Sequence, residues 1–140
     1  MSVVDTNVLV QSSVTTAPDH ARARAAIARL RAQGPVAVTR QILREFLSAT
    51  TRPQPWAKAA TLAEATRNTD GFLRRFAVLE DGQPVWDELM GLTRSFSFGG
   101  KQVHDANIVA TMLAHGETRL LTFNAADFRR FVPLIEVVAP

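Results

Sequence analysis

Ser2-Val3-Val4-Asp5-Thr6-Asn7-Val8-Leu9-Val10 opens the chain. A short β-leaning run meets a carboxylate, a hydroxyl and a carboxamide, and then apolar residues resume. The pattern predicts a buried strand ending at Asp5 and a helix beginning near Val8. Asp5 and Thr6 have two readings. Short polar side chains cap helices by satisfying free N–H groups. They also sit where a strand delivers side chains to a site. The choice turns on whether other carboxylates occupy comparable positions.

Working outward, Gln11 to Pro18 reads as a loop, and a helix follows from about Asp19 to Gln33, with Ala23, Ile27 and Leu30 at helical spacing and Gly34-Pro35 as its stop. Among its arginines, Arg22, Arg29 and Arg31 read most simply as a wet face. Pro35-Val36-Ala37-Val38-Thr39 repeats the opening pattern: a β-branched run that ends in a polar residue. Gln41 to about Thr50 carries an apolar stripe through Ile42, Leu43, Phe46 and Leu47, with Glu45 at its edge. Arg52-Pro53-Gln54-Pro55 breaks the chain. An Ala-rich helix is expected from about Trp56 to Arg67, with Trp56 as a packing anchor. Asn68-Thr69-Asp70-Gly71 reads as a turn, and Phe72 to Glu80 as a helical turn running into a third strand. Asp81 to Pro84 opens another helix through Val85, Leu89 and Leu92, with Trp86 off that line.

The helix His104 to His115, closed by Gly116, carries Asp105 on the same stripe as Ile108, Val109 and Met112. A carboxylate there points where a hydrophobe would pack. Burial of a charge is costly unless it is paired or binds a metal, whereas a helix N-terminus contributes only about 0.3–1 kcal/mol. Asp105 is therefore a candidate site residue. Thr118 to Thr122 forms a fourth strand, after which Asn124 and Asp127 permit two readings, a local helix cap or further site residues. Leu134 to Val138 is the fifth strand.

The chain has 140 residues, 46% hydrophobic and 21% charged, enough to bury the core of one domain spanning 1–140. Cysteine is absent, which excludes disulfides and thiolate metal sites. Asp5 interrupts any early apolar stretch and no run approaches a membrane span, so a cytoplasmic protein without membrane contact is expected. The formal charge is +3, and all basic residues are Arg except Lys58 and Lys101. That balance is compatible with a polyanionic partner or an ordinary solvated surface. Five short apolar strands separated by helices predict an α/β fold: a three-layer α/β/α sandwich around a parallel sheet of about five strands. Ligands of such sheets bind beyond the carboxyl ends of the strands, where Asp5, Thr39, Glu80 and Thr122 fall.

Four segments carry a resemblance: Asp5-Thr6-Asn7; Arg44-Glu45-Phe46; Val103-His104-Asp105-Ala106-Asn107-Ile108-Val109-Ala110; and Leu121-Thr122-Phe123-Asn124-Ala125-Ala126-Asp127-Phe128. In this order they resemble the four motifs of the PIN-domain ribonucleases, and the length resembles the VapC-type toxins of bacterial toxin–antitoxin pairs. The resemblance implies a PIN-like domain and metal-dependent endonucleolytic cleavage of RNA that arrests translation and growth. It also implies a small VapB-like antitoxin on the amphipathic N-terminal helices, and a homodimer. By motif matching, Asp5, Glu45, Asp105 and Asp127 form the acidic, catalytic and metal-binding cluster, supported by Thr6, Thr122 and Asn124. All-oxygen ligands select Mg²⁺ or Mn²⁺ over zinc. Asn124 is uncharged where some relatives carry another acid, which leaves one or two ions open. His104 is adjacent to Asp105 on a helix and so points about 100° away from it, toward RNA or a structural role. The competing readings are a non-catalytic flavodoxin-like phospho-receiver, in which Asp5 lines an acidic pocket, and an RNA-binding module.

Overall fold

A computed structural model describes residues 1–140. β1 (Ser2–Val4), β2 (Val36–Thr39), β3 (Ala77–Leu79), β4 (Arg119–Leu121) and β5 (Glu136–Val138) form one parallel sheet in the order β3-β2-β1-β4-β5. The helices are α1 (Thr6–Ser13), α2 (His20–Gln33), α3 (Arg40–Thr50), α4 (Leu62–Arg75), α5 (Gln83–Ser95), α6 (Gln102–Ala114) and α7 (Ala125–Phe128), followed by a 3₁₀ turn at Arg129–Phe131. The α/β architecture expected from the alternation of strands and helices is the one observed. No helix is long and apolar enough to cross a membrane.

β1 lies at the centre, with Val3 and Val4 fully buried, as a strand covered on both faces requires. Its neighbours β2 and β4 are reached in opposite directions along the sheet, so strand order reverses at β1. The crevice beyond the ends of β1 and β4 is the switch point at which such sheets bind ligands. The segments after these two strands, Asp5-Thr6-Asn7 and Thr122 onward, therefore meet there.

α3 begins because Thr39, the last residue of β2, turns its buried hydroxyl back to accept from the Ile42 N–H at 3.1 Å. Ile42, Leu43 and Phe46 then enter the core, where Phe46 meets Phe72 of α4 edge-on at 4.9 Å and Phe72 stacks on Phe76 at 5.9 Å. This packing fixes the side of α3 that carries Glu45.

Two departures from the sequence expectation are larger than a residue or two at an element's end. α1 runs on through Gln11-Ser12-Ser13: Val8, Leu9 and Val10 are buried, and Ser12 donates to the Leu9 carbonyl at 2.8 Å. Local polarity yields here to packing of the apolar face. α4 is one continuous helix from Leu62 to Arg75, where a helix from Trp56 and a turn at 68–71 were expected. Its start is fixed by a capping box: Glu64 N–H donates to Thr61 Oγ1 at 3.2 Å, and Thr61 N–H donates to Glu64 Oε2 at 2.9 Å. Thr69 donates to the Ala65 carbonyl at 3.0 Å, and buried Ala65 and Phe72 hold the helix against the core across the apparent turn. Thr61→Ala is expected to lower stability by about 1 kcal/mol, the usual worth of such a cap; the shift in urea midpoint at unchanged slope measures it.

Candidate active site

Asp5 both caps and serves the crevice. Oδ1 accepts from the Thr6 N–H at 2.7 Å, as a helix cap does. Oδ2 accepts from the Thr122 hydroxyl at 2.7 Å and from Asn7 Nδ2 at 3.1 Å. Thr122 Oγ1 in turn accepts from the Asn124 N–H at 3.0 Å and from Asn7 Nδ2 at 3.1 Å, and Asn7 Oδ1 accepts from the Phe123 N–H at 3.0 Å. The ends of β1 and β4 are thus laced together around one carboxylate. Asp5 is only 6% exposed. Burial raises its pKa, and the bonds from Thr122 and Thr6 oppose that rise.

Glu45 reaches the same place from α3. Its Oε2 accepts from the Thr6 hydroxyl at 3.0 Å, and its Oε1 from Gln41 Nε2 at 2.8 Å. Asp105 arrives from the first turn of α6 and Asp127 from α7. Asp5, Glu45, Asp105 and Asp127 line one cleft of about 290 Å³, together with Thr6, Asn7 and Asn124. Thr122 stands behind Asp5, fully buried. The four acids and the three supporting residues that the motifs single out, Thr6, Thr122 and Asn124, therefore lie in or directly behind this cleft.

Asp105 differs from Asp5 in a way that matters chemically. It is half-buried and accepts no hydrogen bond from the protein. Burial, then the charges of Asp127, Asp5 and Glu45, push its carboxyl up to about 6, while His104 pulls weakly the other way. His104 itself is exposed on α6. The capping alternative for Asn124 is not realised: its side chain makes no cap bond, and the Asp127 carboxylate is exposed in the cleft without a hydrogen-bond partner, only its N–H donating to the Asn124 carbonyl at 3.0 Å.

Gln41 is a structural member of this group that sequence reading passed over. It is buried, donates to both Glu45 and the His104 carbonyl (2.8 Å each), and accepts from Asn107 Nδ2 at 2.9 Å. One amide therefore orients Glu45 and ties α3 to the first turn of α6. Asn107 also donates to Asp81 at 3.1 Å. The signal available was spacing, since Gln41 and Glu45 stand at i and i+4 on one helix face. Glu80, also at a strand end, belongs elsewhere: Arg40 binds it in a two-pronged ion pair at 2.7–3.2 Å on the surface.

The donor set suits a hard divalent cation. It consists entirely of oxygen ligands, it concentrates four acids without a lysine or arginine among the lining residues, and one half-buried carboxylate has no partner. No three of these side chains are drawn tightly enough together to ligate an ion by themselves.

The PIN domain family model matches residues 2–132. Ribonuclease VapC24 of Mycobacterium tuberculosis is 28% identical over 137 residues, covering 94% of this chain and 91% of that protein. Among solved structures, VapBC2 from Rickettsia felis bound to a DNA fragment from its promoter superposes with a TM-score of 0.71 at 17% identity, covering 99% of this chain and 98% of that one. Mycobacterium tuberculosis VapC20, described as a Sarcin-Ricin loop cleaving toxin, does so with a TM-score of 0.69 at 16% identity, covering 92% and 94%. A family match that takes in β1 through the 3₁₀ turn, on a sheet whose switch point gathers the four acids, means that this chain belongs to the PIN domain family.

Proposed function

We propose that this chain is a Mg²⁺- or Mn²⁺-dependent endoribonuclease and the toxin of a toxin–antitoxin pair. In this reading it acts in the cytoplasm as a homodimer and is silenced by a small VapB-like antitoxin seated on the N-terminal helices. The observation that carries the reading is the convergence of Asp5, Glu45, Asp105 and Asp127, from four different elements, on one cleft of a PIN fold. The 28% identical relative is a ribonuclease, and VapC20, which shares the fold, is described as a Sarcin-Ricin loop cleaving toxin, which supports the same conclusion.

Asp5, Asp105, Asp127 and Glu45 would hold the cation in part through water of its shell, which Mg²⁺ prefers to keep. When bound, the cation supplies a more acidic water and offsets charge on the phosphodiester oxygens. The chain's own residues do the positioning. Thr6 and Gln41 fix both oxygens of Glu45, while Thr122, Asn7 and the Thr6 amide fix both oxygens of Asp5. Asp105 and Asp127 keep their oxygens free of the protein, available to the ion or to a proton of the attacking water. Asn124 is anchored through its backbone to Thr122 and brings an uncharged amide to the rim.

The phospho-receiver alternative loses its footing: the fold is PIN, and Glu80 is engaged by Arg40 on the surface rather than paired with Asp5. The test is cleavage of total RNA by the purified protein, together with growth after induction. Cleavage with Mg²⁺ or Mn²⁺, abolished by a chelator and restored by the metal, is expected, with growth arrest on expression. A protein that leaves RNA intact under all these conditions is not the enzyme proposed.

A further inference from the structure

The cleft continues past the carboxylates. One helical turn on from Thr6 along α1 are Val10 and Gln11; one turn on from Glu45 along α3 is Ala49. These residues, with Gln54, Trp56 and Phe128, form the remainder of its wall. None of them bears a charge, so this end is not built to hold a cation.

Trp56 was expected to be a helical packing anchor, yet it occupies a built turn. Gln54 N–H donates to the Ala57 carbonyl at 2.9 Å, and Ala57 N–H donates back to the Gln54 carbonyl at 3.2 Å. Pro55 occupies the second position of this turn, where its fixed φ suits a turn, and Trp56 the third. Gln54 Nε2 donates to the Ala49 carbonyl at 3.0 Å, and Ala60 N–H donates to the Thr50 carbonyl at 2.8 Å, so the turn is clamped to the end of α3. The indole is half-buried, and its Nε1–H is shielded from solvent without an acceptor, a cost that a phenyl ring at this place would not carry. Packing alone therefore does not account for an indole here.

Two amides flank it with complementary free groups. Gln11 Oε1 is occupied by the Asp19 N–H at 3.0 Å, which leaves its Nε2 as a donor. Gln54 Nε2 is occupied by Ala49, which leaves its Oε1 as an acceptor. A flat aromatic wall with one donor and one acceptor beside it matches a nucleobase, whose face stacks and whose edge presents both kinds of group. Gln11 lies about one helical turn, roughly 5.4 Å, on from Thr6, and Gln54 is tied to Ala49, one turn on from Glu45, a step that suits a base attached next to a phosphodiester held at the acids.

We propose that Trp56, with Gln11 and Gln54, forms a subsite for an unpaired nucleobase adjacent to the scissile phosphate. The proposal rests on the ribonuclease reading and names how that site takes a single-stranded substrate. Trp56→Ala is expected to raise KM for RNA about ten-fold with kcat little changed, since stacking contributes to ground state and transition state alike. Trp56→Phe, which keeps an aromatic face, is expected to restore most of the loss.

A binding readout stands apart from turnover. In Asp105→Asn carrying Trp86→Phe, Trp56 is the sole tryptophan, and Trp86 is an exposed residue of α5. Its fluorescence is expected to be quenched by a short single-stranded RNA and not by an abasic chain of equal length. Equal quenching by the abasic chain overturns the base contact. So does wild-type cleavage of RNA that Trp56→Ala reproduces at the same KM and the same sites, and that result leaves the ribonuclease reading intact. Failure of the wild type to cleave any RNA overturns that reading, and the subsite with it.

Discussion

Asp105→Asn is expected to abolish RNA cleavage while making the metal-free protein more stable at neutral pH. The loss should be on the order of a thousand-fold, since the substitution removes the free carboxylate from a charge-stabilising centre. The gain follows from linkage. In the fold this carboxyl is pushed from the usual 3.8 up to about 6 by burial first, then by Asp127, Asp5 and Glu45. A raised carboxyl pKa means that the folded state holds the proton more tightly than the unfolded chain. The associated stability is full below about pH 4 and is lost as pH rises through about 6. At pH 7 wild type therefore carries an uncompensated charge that Asn lacks. Asp105 is half-exposed, so solvent screening reduces the difference to about 1 kcal/mol, or roughly 3–5 °C in Tm. In chelator, the two proteins should melt together near pH 4 and separate by pH 7, with Asp105→Asn the higher. Added Mg²⁺ should raise wild type and leave the variant nearly unmoved, narrowing or reversing the gap. A variant that melts below wild type at pH 7 in chelator contradicts this account of Asp105.

The features legible in the sequence are those set by local periodicity. Val3 and Val4 announce a strand buried on both faces, and the helical phase of Asp105 against Val109 and Met112 places a carboxylate toward the interior. Family-like order then groups Asp5, Glu45, Asp105 and Asp127, and all four do line one cleft. The features missed depend on partners distant in sequence. Gln41 looks like an ordinary first-turn residue until His104 and Asn107, more than sixty positions away, take up its amide. Asn68-Thr69-Asp70-Gly71 looks like a turn until Phe46 packs on Phe72 and holds the helix through it. Trp56 reads as a helix residue because its neighbours are Ala-rich, but two prolines and the Gln54–Ala57 pairing place it in a turn. For Asp5 the helix-cap reading and the site reading are both correct: one oxygen caps α1 and the other receives Thr122 and Asn7.

That division of labour predicts the opposite stability change for Asp5→Asn. Three donors converge on Asp5: the Thr6 N–H, Asn7 Nδ2 and the Thr122 hydroxyl. An amide offers one oxygen where the carboxylate offers two. If that oxygen stays on the Thr6 N–H, the new NH₂ faces Asn7 Nδ2, donor against donor. Thr122 Oγ1 already accepts from Asn124 and Asn7, so it has little capacity left for another donor. Relief of the burial that raises the Asp5 pKa works in the other direction. However, hydrogen bonds to a charged group contribute about 1.5–3 kcal/mol each, and buried donors left unpaired add to their loss. The hydrogen-bond loss therefore wins, by about 2 kcal/mol net. The metal-free variant should melt roughly 4–8 °C below wild type, and Mg²⁺ or Mn²⁺ should no longer raise its Tm as it raises that of wild type. The same Asp-to-Asn change at two positions in one cleft should thus shift metal-free Tm at pH 7 in opposite directions while removing activity at both. An Asp5→Asn variant as stable as wild type in chelator would show that Asp5 is not the hydrogen-bonded hub, and an undiminished response of that variant to Mg²⁺ would show that Asp5 does not hold the ion.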